Sequence, residues 1–275
     1  HTPFLAVVYI LTYGGGIVSG DRICVEVETQ QNINLMLLTQ GSTKIYKQKR
    51  QEYTKNQEIN CPLGTQQRLN AYIQKNSMLL QLPEPTTCFR AADYSQRQIF
   101  SLEDETSSVV VLDWFTSGRM SRGERWEFSR YESGVDLLVG EKLIFRDVIL
   151  LKNETDLGDH VPLTEEKEKQ VSGMNDIHRR LEPYECFATL VIYGPRMIPI
   201  TNRVLNEYEK IVIGKMNEVI DLTWSSSALY MEKKVNGVVI KVAGVTTEMV
   251  RNFLIKVALK GLNEIVGENL FERAL

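Results

Sequence analysis

A two-residue rhythm in the first half of the chain narrows the fold more than any other feature. In Arg22-Ile23-Cys24-Val25-Glu26-Val27-Glu28 the apolar Ile23, Val25 and Val27 fall on one side of a pleat and their neighbours on the other, the pattern of a strand with one buried face. Similar runs recur at residues 4–11, 33–38, 69–73, 78–82, 108–115, 125–131 and 141–150, and the sequence predicts strands there. Gly, Asn, Pro and Ser interrupt these runs at intervals too short for crossover helices, which argues against a doubly wound parallel sheet. The expected fold class is mainly β, many short strands in a solenoid-, sandwich- or barrel-like body, and no strict repeat chooses among the three.

Beyond residue 150 the pattern changes. Residues 152–185 carry Lys-Asn-Glu-Thr-Asp-Leu-Gly-Asp and then Glu165-Glu166-Lys167-Glu168-Lys169, a polar insertion read as a solvated loop or exposed helix. An apolar block resumes at residues 187–193, followed by a helix predicted at about 203–216. A second helix is predicted at 246–266, where Thr246 suits the cap, Glu248 the positive end, and Met249, Val250, Phe253, Leu254, Val257 and Ile265 recur at helical spacing. Most such stripes are core, so burial within the same domain is preferred to docking on a partner. The whole chain, 1–275, is read as one domain with about two helices, one of them near the C-terminus.

Composition excludes several functions. Thirty-two Lys and Arg against 35 Asp and Glu give a net charge of −3, with no basic field to attract nucleic acid. The apolar runs fall far short of the roughly 20 residues that cross a membrane as a helix. Residues 4–11 have the apolar content of a signal segment but no basic flank, and are read as a strand. Cys24, Cys61, Cys88 and Cys186 show none of the close spacings of a zinc or redox site, which points to reduced structural thiols and a cytoplasmic location.

Gly14-Gly15-Gly16-Ile17-Val18-Ser19-Gly20-Asp21 is the most conspicuous motif. A phosphate loop opens a helix and ends in Gly-Lys-Ser/Thr, whereas these glycines lead into a strand, so no nucleotide site is expected here. They fit a tight turn or bulge, which leaves Asp21 either stabilising the turn or facing a polar passage. Gly41-Ser42-Thr43-Lys44 has the wrong order for a phosphate loop, and Lys44 is read as a solvated or paired lysine. Gly118-Arg119 and Gly123-Glu124 lie between two aromatic-bearing segments, forming either a charged docking loop or an internal ion pair. No nucleophile beside a base, no Gly-x-Ser-x-Gly elbow and no histidine cluster is present; His160 and His178 lie in the polar insertion. The chain is therefore not read as an enzyme.

Taken together, residues 13–21, Leu38-Thr39-Gln40-Gly41-Ser42-Thr43-Lys44-Ile45-Tyr46, Leu82-Pro83-Glu84-Pro85-Thr86-Thr87-Cys88-Phe89, and Gly118-Arg119 with Gly123-Glu124 resemble the UreD (UreH) family of urease accessory proteins, with a further match around 238–242 and the final helix. The resemblance implies a β-rich scaffold that binds a UreF-like protein and, through the complex, a UreG-like GTPase, docks them on apo-urease, and lets nickel pass through an internal tunnel without binding a cofactor tightly. It places Gly14, Gly15, Gly16, Gly20, Lys44, Gly118, Arg119 and Gly123 at family motif positions. Asp21 and Glu124 become candidate nickel contacts in transit, and the final helix a candidate contact for the UreF-like partner. Family members carry a further N-terminal strand that this sequence lacks, so an edge strand is expected to be exposed, and residues 152–185 match no family motif. The alternative is a β-solenoid or sandwich enzyme acting on carbohydrate, which requires two carboxylates across a cleft; no spacing in the sequence pairs them.

Overall fold

A computed structural model describes residues 5–48, 64–153, 176–212 and 221–267. In chain order its strands are β1 (Leu5–Ile10), β2 (Arg22–Thr29), β3 (Asn34–Thr39), β4 (Thr43–Ile45), β5 (Thr65–Ile73), β6 (Met78–Gln81), β7 (Thr86–Cys88), β8 (Asp93–Leu102), β9 (Ser108–Thr116), β10 (Arg130–Val139), β11 (Lys142–Lys152), β12 (Cys186–Tyr193), β13 (Leu222–Met231) and β14 (Lys234–Gly244). The helices are α1 (Asp176–Leu181), α2 (Ile198–Val212), α3 (Thr247–Phe253) and α4 (Leu262–Val266). The mainly β expectation holds, with α2 and a C-terminal helical segment as the longer helical pieces.

Among the described residues the strands form two open sheets. One has nine strands in the order β1-β3-β6-β9-β12-β14-β13, with β4 and β7 continuing β3 and β6 beside β9; the other has five, β11-β10-β8-β5-β2. Up to β10 most neighbours are parallel, as in β1 with β3, β3 with β6, β2 with β5 and β5 with β8. Parallel pairing needs a return path, and here the returning segment is a strand of the opposite sheet. The short interruptions therefore exclude crossover helices but admit a parallel, solenoid-like winding.

The body has three layers. The nine-stranded sheet is buried on both sides at its centre: all nine residues of β9 are buried, the near-continuous apolar run of a central strand. On its outer side Leu80, Val110, Leu112, Trp114, Leu190 and Ile240 pack against Ile200 and Val204 of α2 and Val250, Phe253 and Leu262 of the C-terminal segment. Its inner side faces the five-stranded sheet, whose other face is exposed, as the alternation along β2 shows. No helix among the described residues is long and apolar enough to cross a membrane.

Several expectations need correction. The strand predicted at 125–131 starts only at Arg130 and runs on to Val139. Upstream of it Trp126 has a left-handed φ of 58°, and Asn153 Nδ2 donates to the carbonyls of Trp126 and Phe128 at 2.8 and 2.6 Å, satisfying that backbone without a ladder. The helix predicted from 203 begins at Ile198. The C-terminal helix starts as expected, with Thr246 Oγ1 accepting from Met249 N at 3.2 Å. It is then broken by a π turn at Leu254–Ala258 and by Gly261 at φ +88°. Arg203 of α2 donates to the Val257 and Lys260 carbonyls at 2.7 and 2.9 Å, covering acceptors that the broken helix leaves unpaired. Strands β7, β8, β13 and β14 lie outside the predicted strands. Of the polar insertion, residues 154–175, with His160, lie outside the described residues, as does Cys61.

Candidate functional site

The predicted motif residues gather at one end of the winding, where successive turns stack. Gly14 and Gly15 have φ of 74° and 80°, and a Cβ on Gly16 would stand 2.6 Å from the Tyr46 ring and 2.7 Å from the Lys44 carbonyl. That closeness lets Ile17 N donate to Lys44 O at 2.8 Å and Tyr46 N to Ile17 O at 2.9 Å. The Tyr46 ring meets Phe89 edge-on with centroids 5.2 Å apart, and the Arg119 guanidinium lies over Phe89 at 4.1 Å. The glycine motif, the Lys44 motif, the Cys88-Phe89 motif and the Arg119 loop are thus one column of contacts. Lys44 itself is exposed on β4.

The two predicted carboxylates have local partners. Asp21 is exposed, and its Oδ2 accepts from Val18 N at 3.1 Å across a turn closed by Asp21 N and Val18 O. Glu124 is buried, and both its oxygens accept from Arg119, Nε to Oε2 at 2.7 Å, with Arg90 N as a further donor at 3.3 Å. The Arg119 hydrogen bonds hold the Glu124 carboxyl below its usual range. Replacing Arg119 with alanine leaves that buried carboxylate unpaired and is expected to lower stability by about 1–3 kcal/mol, read as a shift in denaturant midpoint. Lysine should rescue only part of this, since it lacks the fork that engages both oxygens.

A second set of residues, not singled out from the sequence, occupies the space between the sheets. Along β8 the inward side chains run Tyr94, Gln96, Gln98, Phe100; along β9, Phe115, Asp113, Val111; along β10, Tyr131, Ser133, Val135; along β12, Phe187, Thr189, Val191. Each strand thus passes from an aromatic-rich cluster, through polar residues, to an aliphatic cluster. Register aligns the polar positions: Gln67 with Gln96, Gln96 with Ser133, and Asp113 with Thr189. A polar layer therefore crosses the interior between two apolar cores.

Hydrogen bonds knit the layer across the sheets. Gln96 Nε2 donates to Asp113 Oδ1 and to Ser133 Oγ, each at 2.7 Å, and Ser133 Oγ donates to Asp113 Oδ2. Tyr94 donates its hydroxyl to Gln67 Oε1 at 2.9 Å. Farther along, Asp147 of β11 accepts from Thr189 Oγ1 at 3.3 Å and from Lys241 Nζ at 2.6 Å. Asp113 is 7% exposed and forms no ion pair within the described residues. Burial pushes its carboxyl up to about 6, and the Ser133 and Gln96 hydrogen bonds offset only part of that.

A cavity of about 50 Å³ opens in this layer, lined by Gln67, Gln81, Glu84, Gln96, Gln98 and Asp113 among others, with Thr39, Thr43 and Thr86. The buried Gln81 Oε1 in its wall has no hydrogen-bond partner. Polar groups withdrawn from water without a partner are costly: the Gln81 acceptor has none, and among the described residues the Asp113 carboxylate is met only by the neutral donors of Gln96 and Ser133. The lining side chains offer carboxylate, carboxamide and hydroxyl oxygens, which suit passing contact with a hydrated divalent ion better than tight nickel binding. Among the described residues no three His, Cys, Asp or Glu side chains form a metal-holding group. Neither Asp21 nor Glu124 lines the cavity. The sequence does carry a signal for Asp113: a single carboxylate inside Val109-Val110-Val111-Leu112-Asp113-Trp114-Phe115.

Comparison with known proteins identifies the family. The family model described as UreD urease accessory protein matches residues 2–271. A urease accessory protein ureD-like of Schizosaccharomyces pombe is 32% identical over 261 residues, covering 91% of this chain and 80% of its own length. Urease accessory protein 4 of Cryptococcus neoformans is 31% identical, covering 98% and 83%. Urease accessory protein D of Arabidopsis thaliana is 30% identical, covering 95% and 84%. With the match running through every motif loop and both sheets, the chain belongs to the UreD family of urease accessory proteins.

Proposed function

We propose that this chain acts without catalysis in urease maturation, joining a UreF-like protein and a UreG-like GTPase to apo-urease in the cytoplasm, and that nickel ions pass through the polar layer between its sheets. One observation carries the reading: a buried carboxylate, Asp113, without an ion pair among the described residues, lines a cavity in a polar layer between two apolar clusters. Groups that only held the fold together would sit more cheaply as hydrophobic residues. Oxygen ligands without nitrogen or sulfur bind nickel weakly, as a conduit requires. In this reading Asp21 and Glu124 shape the motif loops, and the ion contacts fall to Asp113 and its neighbours.

The glycine motif leads into β2 rather than a helix, so the nucleotide chemistry is assigned to the GTPase partner. Partner attachment is supported by the edge strand β1, where Val8 and Tyr9 are 45% and 53% exposed on a strand without charge, an edge that natural sheets cover or protect. The C-terminal segment offers less to a partner than expected, because Val250, Phe253, Leu254 and Leu262 are spent on the core. A carbohydrate enzyme is disfavoured because Glu84 and Asp113 share a cavity of only about 50 Å³, well below the roughly 300 Å³ of small-molecule sites, while the wider cleft of about 450 Å³ on the five-stranded sheet has one carboxylate, Glu132, in its lining.

Co-expression of urease with UreF- and UreG-type partners, with and without this chain, tests the proposal through pull-down and urease activity. Recovery of the complex, with activity only when the chain is present, is expected. Co-purification without any effect on activation would reduce the chain to a binding module, and failure of both would reject the reading.

A further inference from the structure

The exposed outer face of the five-stranded sheet carries a cleft of about 450 Å³, a volume within the range of ligand sites. Cross-strand register explains why it forms. One row across β2, β5, β8 and β10 reads Arg22, Gln66, Ser95, Glu132; the next reads Cys24, Arg68, Arg97, Gly134 and ends at Val148 of β11. Ser95 and Gly134 are small and leave the floor bare, while the arginines stand around it.

The charges of the cleft do not balance internally. Its lining holds Arg22, Arg68 and Arg97 against a single carboxylate, Glu132, and that carboxylate accepts from Arg130 Nη1 at 2.8 Å. Arg97 reaches across Gly134 to Asp136, which it shares with Arg146. Glu26, one row farther along β2, accepts from Asn70 Nδ2 at 2.7 Å. Arg68 is exposed, stands in register with Arg97, and forms no ion pair among the described residues. Like charges directly opposite on one face of a sheet are destabilising. In a chain of net charge −3, this local excess is not a by-product of basic composition.

We infer that the cleft docks an acidic segment of a partner protein, with Arg22, Arg68 and Arg97 receiving its Asp or Glu carboxylates. Two features favour a polypeptide over a small anion. The arginines rise from three successive strands, roughly 10 Å from first to last, a span that two carboxylates of an extended segment cover and one phosphate does not. Beside them Val148 and Leu150 are 52% and 58% exposed, an apolar rim that a free anion leaves bare. The guanidinium fork engages both oxygens of a carboxylate, so the contact is directional. The inference does not rest on the ion passage, because Arg22, Arg68 and Arg97 alternate along their strands with Ile23, Gln67 and Gln96, which face inward.

Fluorescence anisotropy of a labelled Glu-rich peptide titrated with the full chain tests the inference, with folding followed by thermal melting. Saturable binding is expected, weakened about fivefold in Arg68→Gln and further in Arg22→Gln/Arg68→Gln. Lys142→Gln, which removes the same charge at the other end of β11, should change nothing. Ser95→Phe, which fills the floor, should abolish binding in a folded chain. Bound peptide should also slow alkylation of the exposed Cys24 by iodoacetamide, located by peptide mapping. No saturable binding, parental affinity in Arg68→Gln, an equal loss in Lys142→Gln, or undiminished alkylation of Cys24 at saturation overturns the inference. Binding of inorganic phosphate in place of the peptide also overturns it and makes the cleft a small-anion site.

Discussion

Asp113→Asn is expected to leave the chain folded and able to assemble with its partners while urease activation falls tenfold or more. The substitution keeps the shape of the side chain and one carbonyl oxygen for the Gln96 amide, turns the Ser133 contact around so that the new amide donates to its hydroxyl, and removes the charge. A unit charge about 4 Å from another is worth roughly 4 kcal/mol near a protein surface. A third of that is already a tenfold change in occupancy, and the proposed cargo, nickel, is divalent. Activity of urease matured in the presence of the variant, set against the amount of complex recovered, is the readout. The same variant carries a pH signature. With its carboxyl pushed up to about 6 in the folded chain and near 4 when unfolded, Asp113 is protonated longer in the native state. Its contribution is fully present below about pH 4 and is lost as pH rises through about 6. Asparagine should flatten the fall in stability over that window, measured as denaturant midpoint against pH.

Trp126→Ala is expected to be the most damaging single change to the fold. Trp126 is fully buried, with ring centroids of Phe115, Phe128 and Phe187 at 6.2, 6.1 and 5.7 Å. Its own backbone is tied by Trp126 N to Ser117 O at 2.7 Å and by the Asn153 amide. Removing a buried aromatic of this size costs about 3–5 kcal/mol, a large share of the ~5–15 kcal/mol that holds a domain folded. The loss reaches the motif column as well, because Gly118, the neighbour of Arg119, packs against the Glu124 carbonyl two residues before Trp126. A melting temperature lowered by several degrees, or insoluble expression, is the expected result; a variant as stable as the parent would show that the aromatic cluster does not hold this end together.

Local patterns in the chain reported what local physics decides. The alternation at Ile23, Val25 and Val27 identified β2, the glycines were assigned to turns, and Thr246 was matched to the helix it caps. The doubly buried run Val109–Trp114 gave a strand, but its two-sided burial depends on helices that arrive about a hundred residues later in the chain. Strand β8, Asp-Tyr-Ser-Gln-Arg-Gln-Ile-Phe-Ser-Leu, carries two glutamines on its inner face and so has no clean apolar alternation. The feature that hid it from the periodic pattern is the same one that builds the polar layer. Trp126 illustrates the converse: an aromatic flanked by strand-like residues reads as β, and only its left-handed backbone and the Asn153 side chain, distant in sequence, turn it into a loop. Glu84 lay in a recognised motif, but its pairing with Arg251, 167 residues away, is set by the winding of the chain. Asp21 and Glu124 drew attention because they stand in motifs, whereas Asp113 stands in an apolar run, where an unpaired charge has to be accounted for.

If the ion travels between the sheets, obstructing that space must stop it. Gln98, buried in the cavity wall beside Leu69 and Val135, can be replaced by phenylalanine, which fills and dries the layer without touching a carboxylate. Ser95→Phe on the outer face of the same strand serves as the control. Nickel content of urease matured through each assembled complex is the measurement. Normal loading with Ser95→Phe and little nickel with Gln98→Phe are expected, whereas equal loading through both would show that the ion does not pass between the sheets.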